Sequence, residues 1–247
     1  MRSEMTVQGY TAFPVSPELV VELEETALPL PAELLPAIEA AWAAAQQRAY
    51  GRLFNGTIFS VTELGVDRIR GHFTEYRLAV AGYRDAEMAA RLRIRQLSVC
   101  GVLQLRDGVV FGLRNGRAAY ESGRWQMPPA GAVDSSAQRG AFVSFEEQVR
   151  TELAEEVGLG WDRVTAFRPL TVVVHPHSGV HDLGVLIEAD CDFEELQRIY
   201  SATGSDEYTA LRLVPPAGLS DFLAEQGNSV VPAAAFYLAA AGLLPKS

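Results

Sequence analysis

Apolar and polar positions along this chain fall into two patterns: two-residue alternation, which predicts strands, and three-and-four spacing, which predicts helices. Residues 1–14 are mostly polar and predict a loosely held start. Residues 18–25 (ELVVELEE) alternate well enough for an edge strand. Pro31 then opens a helix whose apolar stripe is Leu34, Leu35, Ile38, Trp42 and Ala45. LFNGTIFSVTEL and VDRIRGHFTEYRLAV predict two strands joined by a turn at residues 65–67. A short helix over 85–93 follows, and residues 97–105 and 109–113 predict a hairpin turning at Asp107-Gly108. After a helix over 144–157 come strands at 166–174 and 180–189, a helix at 193–203, a strand at 208–214 and two closing helices. No internal repeat interrupts the pattern. The sum is a mixed sheet with helices on both sides, in α/β or α+β style.

Composition narrows the class. A chain of 247 residues with 48% hydrophobic content buries a substantial core, as one large domain or as one domain plus an extension. The net charge of −10 argues against a nucleic-acid binder or a partner of anionic membranes. A small anionic substrate remains compatible with it, because arginines and metal ions outweigh the global field locally. The longest apolar run, near residues 230–244, is too short to span a bilayer and contains Pro232. The first residues carry no basic-then-apolar signal pattern. Cys100 and Cys191 sit in apolar, strand-like settings without metal-ligand spacing. These features predict a soluble cytoplasmic protein with reduced thiols.

The helix over 144–157 carries the densest candidate chemistry. Glu152, Glu155 and Glu156 project onto one face at roughly 100° per residue. Such acidic faces are commonly just solvated, at a cost of about 0.2–0.5 kcal/mol for a like-charge i,i+4 pair. Held close at an effective dielectric of about 20, two carboxylates about 5 Å apart repel by about 3 kcal/mol, and a divalent cation reverses that penalty. Upstream, Pro128-Pro129-Ala130-Gly131 is a rigid turn whose glycine permits close backbone approach to a ligand. Arg114 and Arg117 follow a strand and could pair with phosphate oxygens. His175 and His177 alternate at a strand end, with His181-Asp182 across the hairpin. They suit a transition metal, a contact to substrate, or simply a polar hairpin tip. Trp125 and Tyr120 suit base stacking, although a tryptophan so placed also packs cores.

Trp125-x-x-Pro128-x-x-Gly131, followed by Glu152-Leu153-x-Glu155-Glu156-x-Gly158-Leu159, resembles the Nudix hydrolase signature GX5EX7REUXEEXGU. The resemblance spans roughly residues 97–242. It implies a Nudix-type α/β/α sandwich over 96–247, preceded by an N-terminal α/β extension over 1–95. It also implies Mg²⁺-dependent hydrolysis of nucleoside diphosphate derivatives, with Mn²⁺ as the substitute ion and Glu152, Glu155 and Glu156 as metal ligands. Two positions depart from the signature. Thr151 stands where the family carries arginine, and the earlier glutamate falls on Val143. Extra residues within 135–142 lengthen the link between turn and helix, and their small, polar character with Gly140 predicts a mobile loop.

The long lead before this region, and the acidic helix followed by a strand in CDFEELQRIYSATGSDEYTALRLV, resemble the UDP-glucose/UDP-galactose-hydrolysing branch. That branch implies cleavage of a UDP-sugar to UMP and sugar 1-phosphate. Glu155 and Glu156 are the catalytic candidates on the helix, and Glu207 is the candidate outside carboxylate. Arg114, Arg117, Trp125, Ala130, Gly131 and His177 are the candidates for substrate contact. An ADP-ribose or dinucleotide pyrophosphatase is the second reading, and a non-catalytic nucleotide-binding module the third. Homodimers are common in the family.

Overall fold

The computed structural model of the chain describes residues 5–7, 9–24, 30–83, 85–116 and 121–244. Its first strands are β1 (Met5–Val7), β2 (Tyr10–Pro14), β3 (Val20–Leu23), β4 (Thr57–Leu64), β5 (Arg68–Glu75), β6 (Leu97–Gln104) and β7 (Val109–Arg114). They are followed by β8 (Trp125–Gln126), β9 (Ala130–Ala132), β10 (Gln138–Arg139), β11 (Phe142–Val143), β12 (Val164–Val174), β13 (His181–Ala189) and β14 (Tyr208–Val214). The helices are α1 (Leu35–Arg48), α2 (Tyr76–Gly82), α3 (Ala86–Leu92), α4 (Phe145–Val157), α5 (Phe193–Thr203), α6 (Leu219–Gln226) and α7 (Ala233–Ala241). Among the described residues no helix is long and apolar enough to cross a membrane.

The main sheet runs β1-β2-β12-β13-β6-β7-β14, with β13 and β6 parallel and its other pairs antiparallel. Leu97, Val99 and Leu103 of β6 enter one core, while Cys100 and Val102 enter the core on the opposite face. Both faces of this strand are buried, which is why LSVCGVL reads as a nearly continuous apolar run. Val149, Leu153 and Val157 of α4 and Leu196 of α5 cover the first face. Leu219 and Phe222 of α6 and Phe236, Tyr237 and Leu238 of α7 cover the second. The result is a mixed α/β fold with helices on both sides of the main sheet.

β6 and β7 part almost at once. Their pairing is Gln104 to Val109, and beyond it each strand takes a different partner. β9 pairs with β6 through Cys100–Ala130, Val99–Gly131 and Ser98–Ala132. β8 pairs with β7 through Gly112–Gln126 and Leu113–Trp125. The Pro128-Pro129 link between β8 and β9 has no backbone N–H at either residue, so no ladder continues through it. Pro129 instead accepts from the Gly101 amide at 2.7 Å. The turn is thereby wedged into the opening between two central strands, directly over α4.

A second sheet, ordered β10-β11-β3-β5-β4, packs on the α4 side of the main sheet. Val21, Phe59, Val61 and Ile69 from it share one core with Leu97, Val99 and Leu153. Backbone bonds also cross the junction, from the Phe59 amide to Val133 O at 2.7 Å and from the Val61 amide to Arg95 O at 2.8 Å. Outside this sheet, Leu34, Ile38, Leu78, Ala81, Met88 and Leu92 form a small separate core among α1, α2 and α3.

Several local expectations change in the tertiary context. Within the expected loose start, residues 1–4 and 8 lie outside the described residues, whereas β2 is anchored: it pairs with β12 and sends Tyr10 and Ala12 into the second core. The strand β3 is flanked on both sides, by β5 and by β11. The expected mobile loop over 135–142 is a short 3-10 turn followed by the β10–β11 hairpin, with Leu23 N–H donating to Ala141 O at 2.9 Å. The strand expected through Val80 ends at Glu75. Leu78, Ala79, Ala81 and Gly82 are all buried, a spacing that strand alternation cannot give and that a helix between α1 and α3 can. Strands from before and after residue 95 share both sheets, so the chain weaves across that position.

Phe59 is fully buried where the two sheets meet, edge-on to Phe73 at 5.6 Å. Replacing it with alanine is expected to lower unfolding free energy by about 3–5 kcal/mol. Denaturant unfolding followed by circular dichroism and by fluorescence should keep one coincident transition. Two separated transitions in the variant would show that the sheets do not share a cooperative core.

Candidate functional site

Local sequence sets the limits of α4. Ser144 caps it by accepting from the Glu147 amide at 3.2 Å. Gly158 ends it in the left-handed conformation at φ +75°, which disfavours side chains with a Cβ. Between these limits Val149, Leu153 and Val157 face the core. Glu156 lies beside that stripe and is 2% exposed, Glu152 is half-buried, and Glu155 is exposed. The three glutamates therefore occupy different environments.

The wedged turn meets α4 at two points. The Ala130 amide donates to Glu156 Oε2 at 2.9 Å. At Gly131 any Cβ would stand 1.9 Å from Glu152 Oε1, so the backbone can approach the carboxylate only because this residue is glycine. Glu156 Oε2 also accepts from the Tyr208 hydroxyl at 2.9 Å. The Tyr208 ring reaches it by lying over Gly112, where a Cβ would come within 2.3 Å of the ring. Gln148 Nε2 donates to Glu152 Oε1 at 2.8 Å, and Gln148 Oε1 accepts from the Asp134 amide at 3.1 Å. These neutral donors hold Glu152 and Glu156 in a chain with Thr151, itself exposed, at the signature's arginine position. Val143, in place of the earlier glutamate, is buried in the core.

Both inward carboxyls are electrostatically stressed. Burial, followed by the charges of Glu207 and Glu152, holds the Glu156 carboxyl well above the ordinary range. Glu152 is pushed up to about 7, chiefly by burial, with Glu155, Glu207 and Asp134 adding to the shift and the Gln148 hydrogen bond opposing it. Glu156 Oε1 is buried without a hydrogen-bond partner. Glu207, just before β14, bonds Arg114 Nη2 at 2.9 Å, while Arg114 Nη1 donates to Gln126 Oε1 at 2.6 Å. Arg114 is thus a cation tied to the site's outer carboxylate.

A cavity of about 380 Å³ opens over this cluster. Arg114, Ala130, Gly131, Glu152 and Glu207 line one part of it. His175 lines it too, with Nε2 3.6 Å from Asp182 Oδ2, and Asp182 Oδ1 accepts from Ser98 at 3.0 Å. His177 lies in the exposed turn before β13, away from the lining. His181 is buried beside Gly179 O at 2.9 Å, and burial lowers it to about 4. The histidines therefore do not gather on one face. Trp125 packs edge-on against Phe222 at 6.2 Å, in the core under α6. Arg117 and Tyr120 lie outside the described residues. Tyr208, Gln148, Gln126 and Gly112 belong to the site although no sequence motif marks them.

Among the described residues, no group of three or more His, Cys, Asp or Glu side chains stands close enough to hold a metal ion. The chemistry of the inward pair nevertheless fits a hard divalent cation. Glu152 and Glu156 present only oxygen donors, one of them an unpartnered buried oxygen, and Glu207 lies within electrostatic reach of both. Glu155 stays on the exposed side of the helix.

No protein-family model matches the chain, and no curated protein matches it. Solved structures resemble it in part. A protein from Deinococcus radiodurans aligns at 15% identity over 76% of this chain and 98% of its own, with a TM-score of 0.49. A NUDIX hydrolase from Nitrosomonas europaea aligns at 12% identity over 60% of this chain and 88% of its own, with a TM-score of 0.41. A NUDIX-family hydrolase from Clostridium perfringens aligns at 14% identity over 60% of this chain and 95% of its own, also at 0.41.

The raised Glu152 carboxyl makes metal-free stability depend on pH. Its folded-state value of about 7 exceeds the ordinary 4.5. Its stabilising contribution is therefore complete below about 4.5 and is lost as pH climbs through about 7. The loss reaches at most about 3 kcal/mol, less where cavity water screens the group. In EDTA, the unfolding midpoint of the wild type should fall more between about pH 5 and about pH 8 than that of Glu152→Gln. Mg²⁺ should restore stability to the wild type more than to the variant. Parallel pH profiles for the two proteins would contradict the assignment.

Proposed function

We propose that this chain is a Nudix-type, Mg²⁺-dependent pyrophosphatase of nucleoside diphosphate derivatives, with UDP-sugars as the preferred class. The observation that supports it most is the seating of two carboxyls against the Ala130-Gly131 backbone: Glu152, in the lining of a cavity that also holds Arg114 and Glu207, and the buried Glu156. Two clustered carboxyls with no ion-pair partner among the described residues favour binding of a divalent ion, and a cation so held would attract a diphosphate. The cavity volume falls within the range of small-molecule sites.

Glu152 and Glu156 would hold the ion, with Glu207 as the third carboxylate. Held there, Mg²⁺ would supply Lewis acidity at a phosphoryl oxygen and a lowered pKa for the attacking water. Glu207, bonded to Arg114, is the candidate for either role, as a further ligand or as the base that would take the proton from that water. Arg114, in the cavity wall, would add positive charge for the substrate phosphates. The P–O bond between the two phosphoryl groups breaks and water adds to one phosphorus, so a UDP-sugar yields UMP and sugar 1-phosphate. Ala130 and Tyr208 position Glu156 through their hydrogen bonds and do not themselves touch the reacting atoms.

One specific observation favours a second reading, a nucleotide-binding module without turnover: Glu155 is exposed and no trio of ligands is assembled among the described residues. Incubating the protein with Mg²⁺ or Mn²⁺ and UDP-sugars, ADP-ribose and dinucleotides, and following monophosphate release, separates the two. UDP-sugar turnover is expected, and Glu156→Gln should reduce kcat by about two to four orders of magnitude. Binding without turnover of any substrate would favour the module instead. Tyr208→Phe should weaken the Mg²⁺ activation constant by about 10–100-fold while leaving the fold intact by circular dichroism.

A further inference from the structure

The cavity has two chemically different halves, and the second half belongs to the N-terminal part of the chain. Phe54, Gly56, Thr57 and Ile58, from the approach to β4 and its start, line it together with Tyr76 of α2 and Tyr83 just beyond. Phe54 is 83% exposed, an apolar ring at the cavity mouth, and its ring packs against Gly56, where a Cβ would stand 3.2 Å away. Tyr76 is set between two aromatic neighbours, at 6.1 Å from Trp42 and 6.5 Å from Tyr83, both edge-on. Burial raises the Tyr76 hydroxyl above its ordinary value, and the Arg114 charge acts in the opposite sense. The ring therefore lies within electrostatic reach of the phosphate-directed half. Between these aromatics and the main sheet stands Gln96, whose side-chain oxygen accepts from Tyr83 and whose NH₂ is the group it can offer a ligand.

A diphosphate needs none of this wall. A planar, hydrogen-bonding heterocycle needs both an aromatic platform and an amide edge, and a nucleotide joins such a ring to phosphates at one ribose's distance. We infer that the N-terminal segment supplies the nucleobase subsite, with the base stacking on Phe54 and Tyr76 and its edge read by Gln96. The inference rests on the pyrophosphatase reading for the phosphate half alone. Specificity for the base then resides in residues before the catalytic region, and the extension is a working wall of the site.

Calorimetric titration of UMP, AMP and inorganic pyrophosphate into the full chain with Mg²⁺ tests this. The wild type, Phe54→Ala and Tyr76→Leu are compared, with circular dichroism checking that each variant is folded. Base–aromatic stacking is worth about 1–3 kcal/mol, so each variant should bind UMP about 5- to 150-fold more weakly at 1.4 kcal/mol per tenfold. Pyrophosphate affinity should change less than about twofold. Gln96→Leu should alter the ratio of UMP to AMP affinity. Unchanged UMP affinity in both aromatic variants, or equal weakening of UMP and pyrophosphate, overturns the nucleobase subsite. UMP binding no tighter than pyrophosphate in the wild type overturns it as well. Failure of the wild type to bind pyrophosphate at all, with UMP binding that still depends on Phe54, instead overturns the pyrophosphatase reading and leaves the base subsite standing.

Discussion

A carboxyl group at Glu156 sits in the protein interior with two donors on one oxygen and none on the other. Burying a charge without full compensation is among the most costly arrangements a fold can contain. Here burial and the neighbouring carboxylates hold the carboxyl well above its ordinary range, which favours its neutral form relative to an exposed glutamate. The surrounding architecture serves this one group. The two-proline link separates β8 from β9 so that the Ala130 amide points down at it, and Gly112 leaves room for the Tyr208 ring to reach it. Binding sites commonly store such local instability, to be released by the ligand.

The second sheet makes this arrangement rigid. β4 contributes Phe59 and Val61 to the core that also receives Leu153 of α4, and its backbone bonds Arg95 ahead of β6 and Val133 after β9. The helix bearing the glutamates is thus pressed between the main sheet and the N-terminal strands. The same placement makes the segment around β4 and α2 a wall of the cavity. Structural support and cavity lining thus come from one segment.

The absent signature arginine illustrates how the same physical need admits different solutions. A guanidinium would neutralise neighbouring carboxylates directly. This chain uses neutral donors: the Gln148 amide on Glu152, and the Tyr208 hydroxyl and Ala130 amide on Glu156. Neutral donors orient the carboxylates without cancelling their charge. Among the described residues lining the cavity, Arg114 is the cation, and it bonds Glu207 and Gln126.

What the sequence determined by itself was local and periodic. Ser144 and Gly158 delimit α4, the three-and-four spacing of Val149, Leu153 and Val157 sets its inward face, and the apolar run over 97–105 marks the strand β6. Those features need only neighbouring residues, so they were legible, as was the turn that places Gly131 beside the acidic helix. The tertiary structure alone decided which glutamates turn inward and which remains in water. It also brought Tyr208 to a partner 52 positions earlier, seated β2 in the main sheet and folded residues 76–82 into a helix. Such contacts join residues with no periodic relation. They exist because the order of the strands carries distant segments to one place, and that order is set by the packing of the whole core.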